Sequence, residues 1–532
     1  MLLSLVSSFA LAAGALAPER LWAEWPERRF VKTVAPCVRP AELVQTVGAL
    51  RAKHPKLRVE EVGRSVQGRP IQMLTIGSGP RRTLLWSQMH GDEPSATPAL
   101  LDLAHHLLEN ASDPDVSRLL SETTLLMIPM LNPDGAERYV RRNAQGIDIN
   151  RDALNLATPE GRTLKAVRDR FNPELGFNLH DQGRRTTVGN TGKLATISLL
   201  AVAGDAQGTL TPGRARAKRV ASAIVATLTP YVAGGIARYD EDWSPRAFGD
   251  NITAWGTPVV LIESGGFASP LEQADLTRLN FVALGAVLSE WASDDLRARD
   301  ALLYDRLLRN DTGGFSDVAL RGGRVAPAGR EPFRADVTFD VLSSDRARLG
   351  CAVDERGRTR ITEVGDARFV TSRDSFDASG LLITAGFVAS AEELPTEKTL
   401  AALQALGVTR VLWHVEAARR DAALRQSASL GALSSLVRVV GADQPRAWLK
   451  LRGAPSSPSD LSLVSIVRAV SGDEAAAREA EMKDGLLAAF LGPPENAASI
   501  AVDGSADLVL VSLERARVER VLANGRVLFP SR

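Results

Sequence analysis

Four separated segments carry residues of the kinds that hold a metal ion, move a proton or grip a carboxylate. In QMHGDE, His90 and Glu93 stand three positions apart around Gly91. Imidazole nitrogen and carboxylate oxygen both suit Zn²⁺, and a tight turn at the glycine lets the two side chains converge on one ion. The run RRNAQGIDINRD, from Arg141 to Asp152, crowds Arg141, Arg142, Asn150 and Arg151 around Gly146. Arginine's planar fork binds a carboxylate bidentately and asparagine adds a neutral donor, though a solvated loop would read the same way. His180 stands near the end of FNLHD, as a metal ligand or as a buried, hydrogen-bonded imidazole. Glu263 closes VVLIE, an apolar run in which burial would raise its pKa while a nearby cation would keep it ionised as a base.

These residues need a scaffold, and the hydrophobic pattern supplies one. From about residue 38 to 295, strand-like runs (70–76, 83–89, 123–129, 175–180, 196–202 and 258–263) alternate with helical patterns (96–110, 159–171, 213–230 and 272–292). That alternation predicts an α/β/α sandwich around a mixed, mostly parallel sheet. Ligands of such sheets collect at the carboxyl ends of the strands, and His90, Glu93, His180 and Glu263 all fall at that end.

Gly/Pro-rich text near 308–335 (RNDTGGF, RGGRVAPAGREP) marks a boundary, taken as 296–335. Residues 336–532 follow as a smaller α+β domain, strand-rich at 336–390 and 499–529 and helical over 396–490, with a strand at 408–415.

Composition limits the partners. The 532 residues include 64 Lys plus Arg against 63 Asp plus Glu, a net charge of +1 that gives no field favouring nucleic acid or an anionic membrane. Two cysteines, Cys37 and Cys351, exclude a disulfide scaffold and any cluster needing four thiolates. Residues 1–17 (MLLSLVSSFALAAGALA) read as a signal peptide, too short to span a bilayer, so a periplasmic or secreted protein is expected, and a cytoplasmic one if the segment is not a leader. Of the six histidines, His54, His105, His106 and His414 are assigned ordinary positions; His105 and His106 sit among Leu and Ala on a helical pattern.

The order His-x-x-Glu, then Arg and Asn-Arg, then a lone His, then a strand-terminal Glu resembles the zinc metallocarboxypeptidase family over residues 38–295. The upstream text His54-Pro55, Gly63-Arg64-Ser65 and Gly68-Arg69-Pro70-Ile71 is similar too. The resemblance implies one Zn²⁺ on His90, Glu93 and His180 with a fourth position for water. It also implies Glu263 as general base, Arg141 polarising the scissile carbonyl (with Arg142 as its competitor), and Asn150 and Arg151 gripping the substrate's free C-terminal carboxylate. Tyr239 is the candidate for a substrate-contacting tyrosine, and Asp92 stands where many digestive members carry Arg.

The expected activity is hydrolysis of C-terminal residues from peptides. The alternatives are deacylation of an N-acyl amino acid at the same metal and, from another class, a non-catalytic peptide or cell-wall binding protein. Residues 361–388 and 505–528 resemble the flanking β portions of amidohydrolase-type enzymes, but Phe387–Ala391 holds no His-x-His pair. A relic or interaction module is expected there, not a second enzyme.

Overall fold

The computed structural model describes residues 14–32, 38–232, 234–239, 242–268, 271, 273–312, 314–325, 333–342, 358–368 and 370–379, with short segments beyond them; the chain divides into two compact units after Phe315. The first unit is built on the strands β1 (Arg58–Arg64), β2 (Pro70–Gly77), β3 (Arg81–Ser87), β4 (Thr123–Ile128), β5 (Leu175–Asp181), β6 (Thr187–Val188), β7 (Ile197–Ala201), β8 (Ile236–Arg238) and β9 (Val259–Ser264). All but β6 form one sheet in the order β1-β2-β4-β3-β5-β9-β7-β8. Its centre, β4-β3-β5-β9, is parallel, and β1, β2 and β7 join antiparallel.

Central parallel strands are buried on both faces, and the two-residue alternation divides their side chains between two cores. Leu85, Leu125, Met127, Phe177, Val260 and Ile262 point into one, with helices Ala96–Glu109, Pro212–Val232 and Gln273–Ser293 over them. Leu84, Trp86, Leu126, Ile128, Val259 and Leu261 point into the other, under helices Pro159–Phe171 and Phe248–Ala254. This is the three-layered sandwich expected from the sequence.

Details differ where local chemistry overrides the apolar pattern. The run expected as a strand to residue 89 stops at Ser87, because Gln88 turns to φ +50° to start the loop carrying His90. Part of the stretch expected as a linker belongs to the first unit's fold: Leu296 and the fully buried Tyr304 join the helical core, and the Ala201 N–H donates to the Tyr304 hydroxyl at 3.1 Å. Of the expected leader, residues 1–13 lie outside the described residues, whereas Ala15 and Leu16 pack into that core and the Ala15 carbonyl bonds His106 Nε2 at 2.9 Å. No helix among the described residues is long and apolar enough to cross a membrane.

The second unit contains a mixed sheet running from Arg358–Gly365 through Phe333–Leu342 and Phe315–Val325 to Leu381–Ala385, Leu508–Ser512, Arg517–Ala523 and Arg526–Phe529. A separate all-parallel sheet joins Val437–Gly441, Val408–Val415, Phe387–Ala391 and Leu449–Lys450. The expected strand at 408–415 is present; most of the helical stretch 396–490 and both cysteines lie outside the described residues.

Candidate active site

Three adjacent parallel strands deliver the central residues. The turn after β3 carries His90 and Glu93, β5 carries His180 one residue from its end, and β9 carries Glu263 directly opposite His180 in register. Because the chain steps from β3 to β4 on one side and reaches β5 on the other, a crevice opens at the carboxyl ends there.

The ligand atoms of His90, Glu93 and His180 lie within 4.8 Å of one another, and all three residues are buried. Glu93 Oε1 is 2.7 Å from His90 Nδ1, Glu93 Oε2 is 2.7 Å from His180 Nδ1, and the two Nδ1 atoms are 3.2 Å apart. His90 Nε2 faces Asp148 Oδ1 at 3.1 Å. That carboxylate favours the Nε2–H tautomer and so turns the Nδ1 lone pair toward Glu93, the arrangement that outer carboxylates give to metal-binding imidazoles. Two ring nitrogens and a carboxylate converging in a buried space fit a Zn²⁺ ion.

The charges agree with that donor set. Burial works against ionising Glu93, yet the two imidazoles hold its carboxyl well below the usual range. Burial likewise opposes charge on Asp148, but His90 and Arg141 keep it ionised. Burial, opposed by Glu93, leaves His180 below its ordinary pKa, whereas for His90 the pull of Glu93 and Asp148 outweighs burial and raises it. Asp92, between the ligands, is raised by burial and by Glu93.

Arg141 and Arg142 part company here. Arg141 Nη1 donates to Glu93 Oε1 at 3.2 Å and its Nε to Asp148 Oδ2 at 3.0 Å, with 41% of the side chain still exposed to an incoming ligand. Arg142 turns outward and donates to the Gly146 carbonyl of its own loop at 3.1 Å. That loop is drawn tight by Asn143, whose Oδ1 accepts from the Gln145 and Ile147 N–H groups at 3.0 Å and whose Nδ2 reaches Glu160. The Asn150 side-chain oxygen accepts from the Phe248 N–H at 2.9 Å, which leaves the amide NH₂ as its donor end; Arg151 is exposed.

Tyr239 follows β8; its N–H donates to the Leu199 carbonyl, and its side chain packs partly buried against the core that contains Leu200, Phe248 and Leu261.

Several supports went unrecognised in the sequence. Asn132 caps helix Pro133–Arg138 through the Gly135 N–H at 2.9 Å and sends its Nδ2 to the carbonyls of Met89 and Arg141, tying the His90 turn to the arginine segment. The Gly63–Pro70 text is a latch: Ser65 Oγ donates to the buried Asp134 at 2.8 Å, and the Gln67 N–H to its other oxygen at 2.9 Å. Gly91 presses on the next segment, since a Cβ there would sit 2.0 Å from the Gly135 carbonyl carbon. Gly91→Ala should therefore displace the turn, costing about 1–3 kcal/mol of stability and weakening metal binding together. Thermal melting with metal analysis would check this, and wild-type values of both would show that the turn has slack. The glycines after Glu263 are equally confined, by the Ala195 and Arg184 carbonyls.

A family profile described as zinc carboxypeptidase matches residues 43–182, a span that includes His90, Glu93, Arg141, Asn150, Arg151 and His180 and stops short of Glu263. Carboxypeptidase E of Caenorhabditis elegans is 31% identical over 138 residues, 22% of this chain and 29% of that protein. Carboxypeptidase 2 of Trichophyton rubrum is 32% identical over 103 residues, 19% of each chain. The chain thus spans less than a third of these curated relatives. Among solved structures, a metallo-carboxypeptidase from Burkholderia cenocepacia aligns over 48% of this chain and 69% of its own, at 18% identity and a TM-score of 0.39. Over residues 43–182 this chain matches the zinc carboxypeptidase family.

Proposed function

We propose that this chain is a zinc-dependent metallocarboxypeptidase that removes residues from the C-terminal end of peptides, with one Zn²⁺ held by Nδ1 of His90, the carboxylate of Glu93 and Nδ1 of His180. The observation that carries the reading is the convergence of those donors, with the far side of the His90 ring fixed by Asp148. When bound there, the ion acts as a Lewis acid toward a substrate carbonyl and toward water.

The protein's own groups take the remaining roles. Glu263 accepts a proton from the attacking water and passes it to the leaving amine. Arg141, anchored by Asp148 and partly exposed, offers N–H groups to the carbonyl oxygen as charge develops on it, which favours the transition state over the ground state. The Asn150 amide and the exposed Arg151 guanidinium bind the terminal carboxylate, selecting chain ends by charge.

Peptides with a free C-terminus should be cleaved, their amidated counterparts at least about 100-fold more slowly, since a site built for a carboxylate leaves its donors unpaired against an amide. Chelation should abolish turnover and added Zn²⁺ restore it. Equal cleavage of free and amidated peptides would overturn the assignment of Asn150 and Arg151.

A further inference from the structure

A second set of two imidazoles and one carboxylate lies away from the crevice. His54 directly follows helix Pro40–Lys53, and His105 and Glu109, four positions apart, share a face at the end of helix Ala96–Glu109. Their ligand atoms also lie within 4.8 Å of one another. Helix Ala96–Glu109 starts just after Glu93, so this second set stands about 15–20 Å along the helix from the first. The peptidase reading has no use for it.

The spacings fit a small ion. His54 Nε2 is 2.9 Å from His105 Nδ1 and 3.7 Å from Glu109 Oε2. Ligands placed tetrahedrally at zinc's bond lengths are about 3.3 Å apart, between those two values. Two nitrogens and one oxygen suit zinc and other imidazole-preferring divalent ions, not Ca²⁺ or Mg²⁺, which take oxygen.

The His105 ring is packed in place. His105 is buried, its ring 5.0 Å from that of Phe30. Glu109 is 45% exposed and gives an ion a way in. Its present partner is Lys53 Nζ at 3.2 Å, an exposed ion pair of a kind that contributes little.

We propose that His54, His105 and Glu109 form a second Zn²⁺ site, independent of His90, Glu93 and His180, which clips the end of helix Pro40–Lys53 to the end of helix Ala96–Glu109. A fourth position faces solvent on the Glu109 side and is left to water.

The test is metal stoichiometry on the full chain, stripped with chelator, equilibrated with micromolar Zn²⁺ and freed of excess. The wild type should hold two equivalents and H54Q/E109Q one, with peptidase activity unchanged. Both replaced side chains reach solvent, and an unaltered melting temperature of the stripped variant would verify its fold. Added Zn²⁺ should raise the melting temperature of the wild type more than that of the variant. K53Q, which removes the competing cation, should tighten the second equivalent several-fold.

One equivalent in the wild type that persists in H54Q/E109Q would overturn the second site and leave the first standing. One equivalent that H54Q/E109Q loses would do the reverse. Two equivalents in both would also overturn it.

Discussion

Glu263→Gln is expected to lower kcat/KM by about 10²- to 10⁴-fold while leaving the zinc content unchanged. The substitution keeps the shape of a side chain that is only 6% exposed and lies in register beside His180, but removes its capacity to carry a proton. Burial first, then the negative charges of Glu93 and Asp181, raise the Glu263 pKa well above the ordinary value, and Arg141 alone opposes them. An ion on the neighbouring ligands is of the opposite sign and draws it back toward the range in which a base works.

The same environment predicts a change in stability. An acid whose folded-state pKa is raised contributes stability that is fully present below its unfolded-state value, near 4.5, and is lost as pH rises through the folded-state value. Metal-free E263Q should therefore melt at a higher temperature than the metal-free wild type at pH 7 to 8, with the difference shrinking toward pH 4. Unchanged turnover in E263Q would remove Glu263 as the base. A lower melting temperature at pH 8 would contradict the electrostatic account.

How much of this was legible in the sequence follows the range of the forces involved. Leu84, Leu85 and Trp86 announce a strand buried on both faces, because a strand's burial is written in its own residues. The antiparallel edge strand β1, RVEEVGR, lacks that signal: most of its side chains are exposed, and pairing with β2 holds it in place.

At the site, residue type and strand-end position singled out His90, Glu93, His180 and Glu263, which the fold brings side by side. The choice between Arg141 and Arg142 did not follow from type, since it depends on how Asn143 folds the loop between Arg141 and Asp148. The position of Tyr239 was not legible for a related reason: nearness in sequence to β9 says nothing of the direction in which β8 runs. The pairing of His54 with His105 spans 51 residues and two helices, and the Leu- and Ala-rich pattern around His105 masked it.

Removing Asp148 should be the most damaging change outside the ligands and Glu263, because one carboxylate serves two neighbours. Its Oδ1 holds His90 Nε2 at 3.1 Å, and its Oδ2 holds Arg141 Nε at 3.0 Å. Asp148 also accepts from the Asn150 N–H at 2.9 Å, so it orders the start of the Asn150–Arg151 segment. Losing an outer partner of a metal-bound imidazole weakens the metal by about 10- to 100-fold, since ring orientation and basicity both suffer. Excess Zn²⁺ should restore that part of the loss in Asp148→Ala. A further deficit of about 10- to 100-fold in kcat/KM should persist at saturating zinc, because Arg141 would keep its charge but lose the anchor that aims it. Asp148→Asn preserves the shape and can still accept one hydrogen bond, so it should fall between Ala and the wild type. Arg142→Ala, which removes only a contact within the loop, should be neutral in both measurements. Full recovery of D148A by zinc alone would mean that Arg141 needs no anchor, and its role at the carbonyl would have to be reassigned.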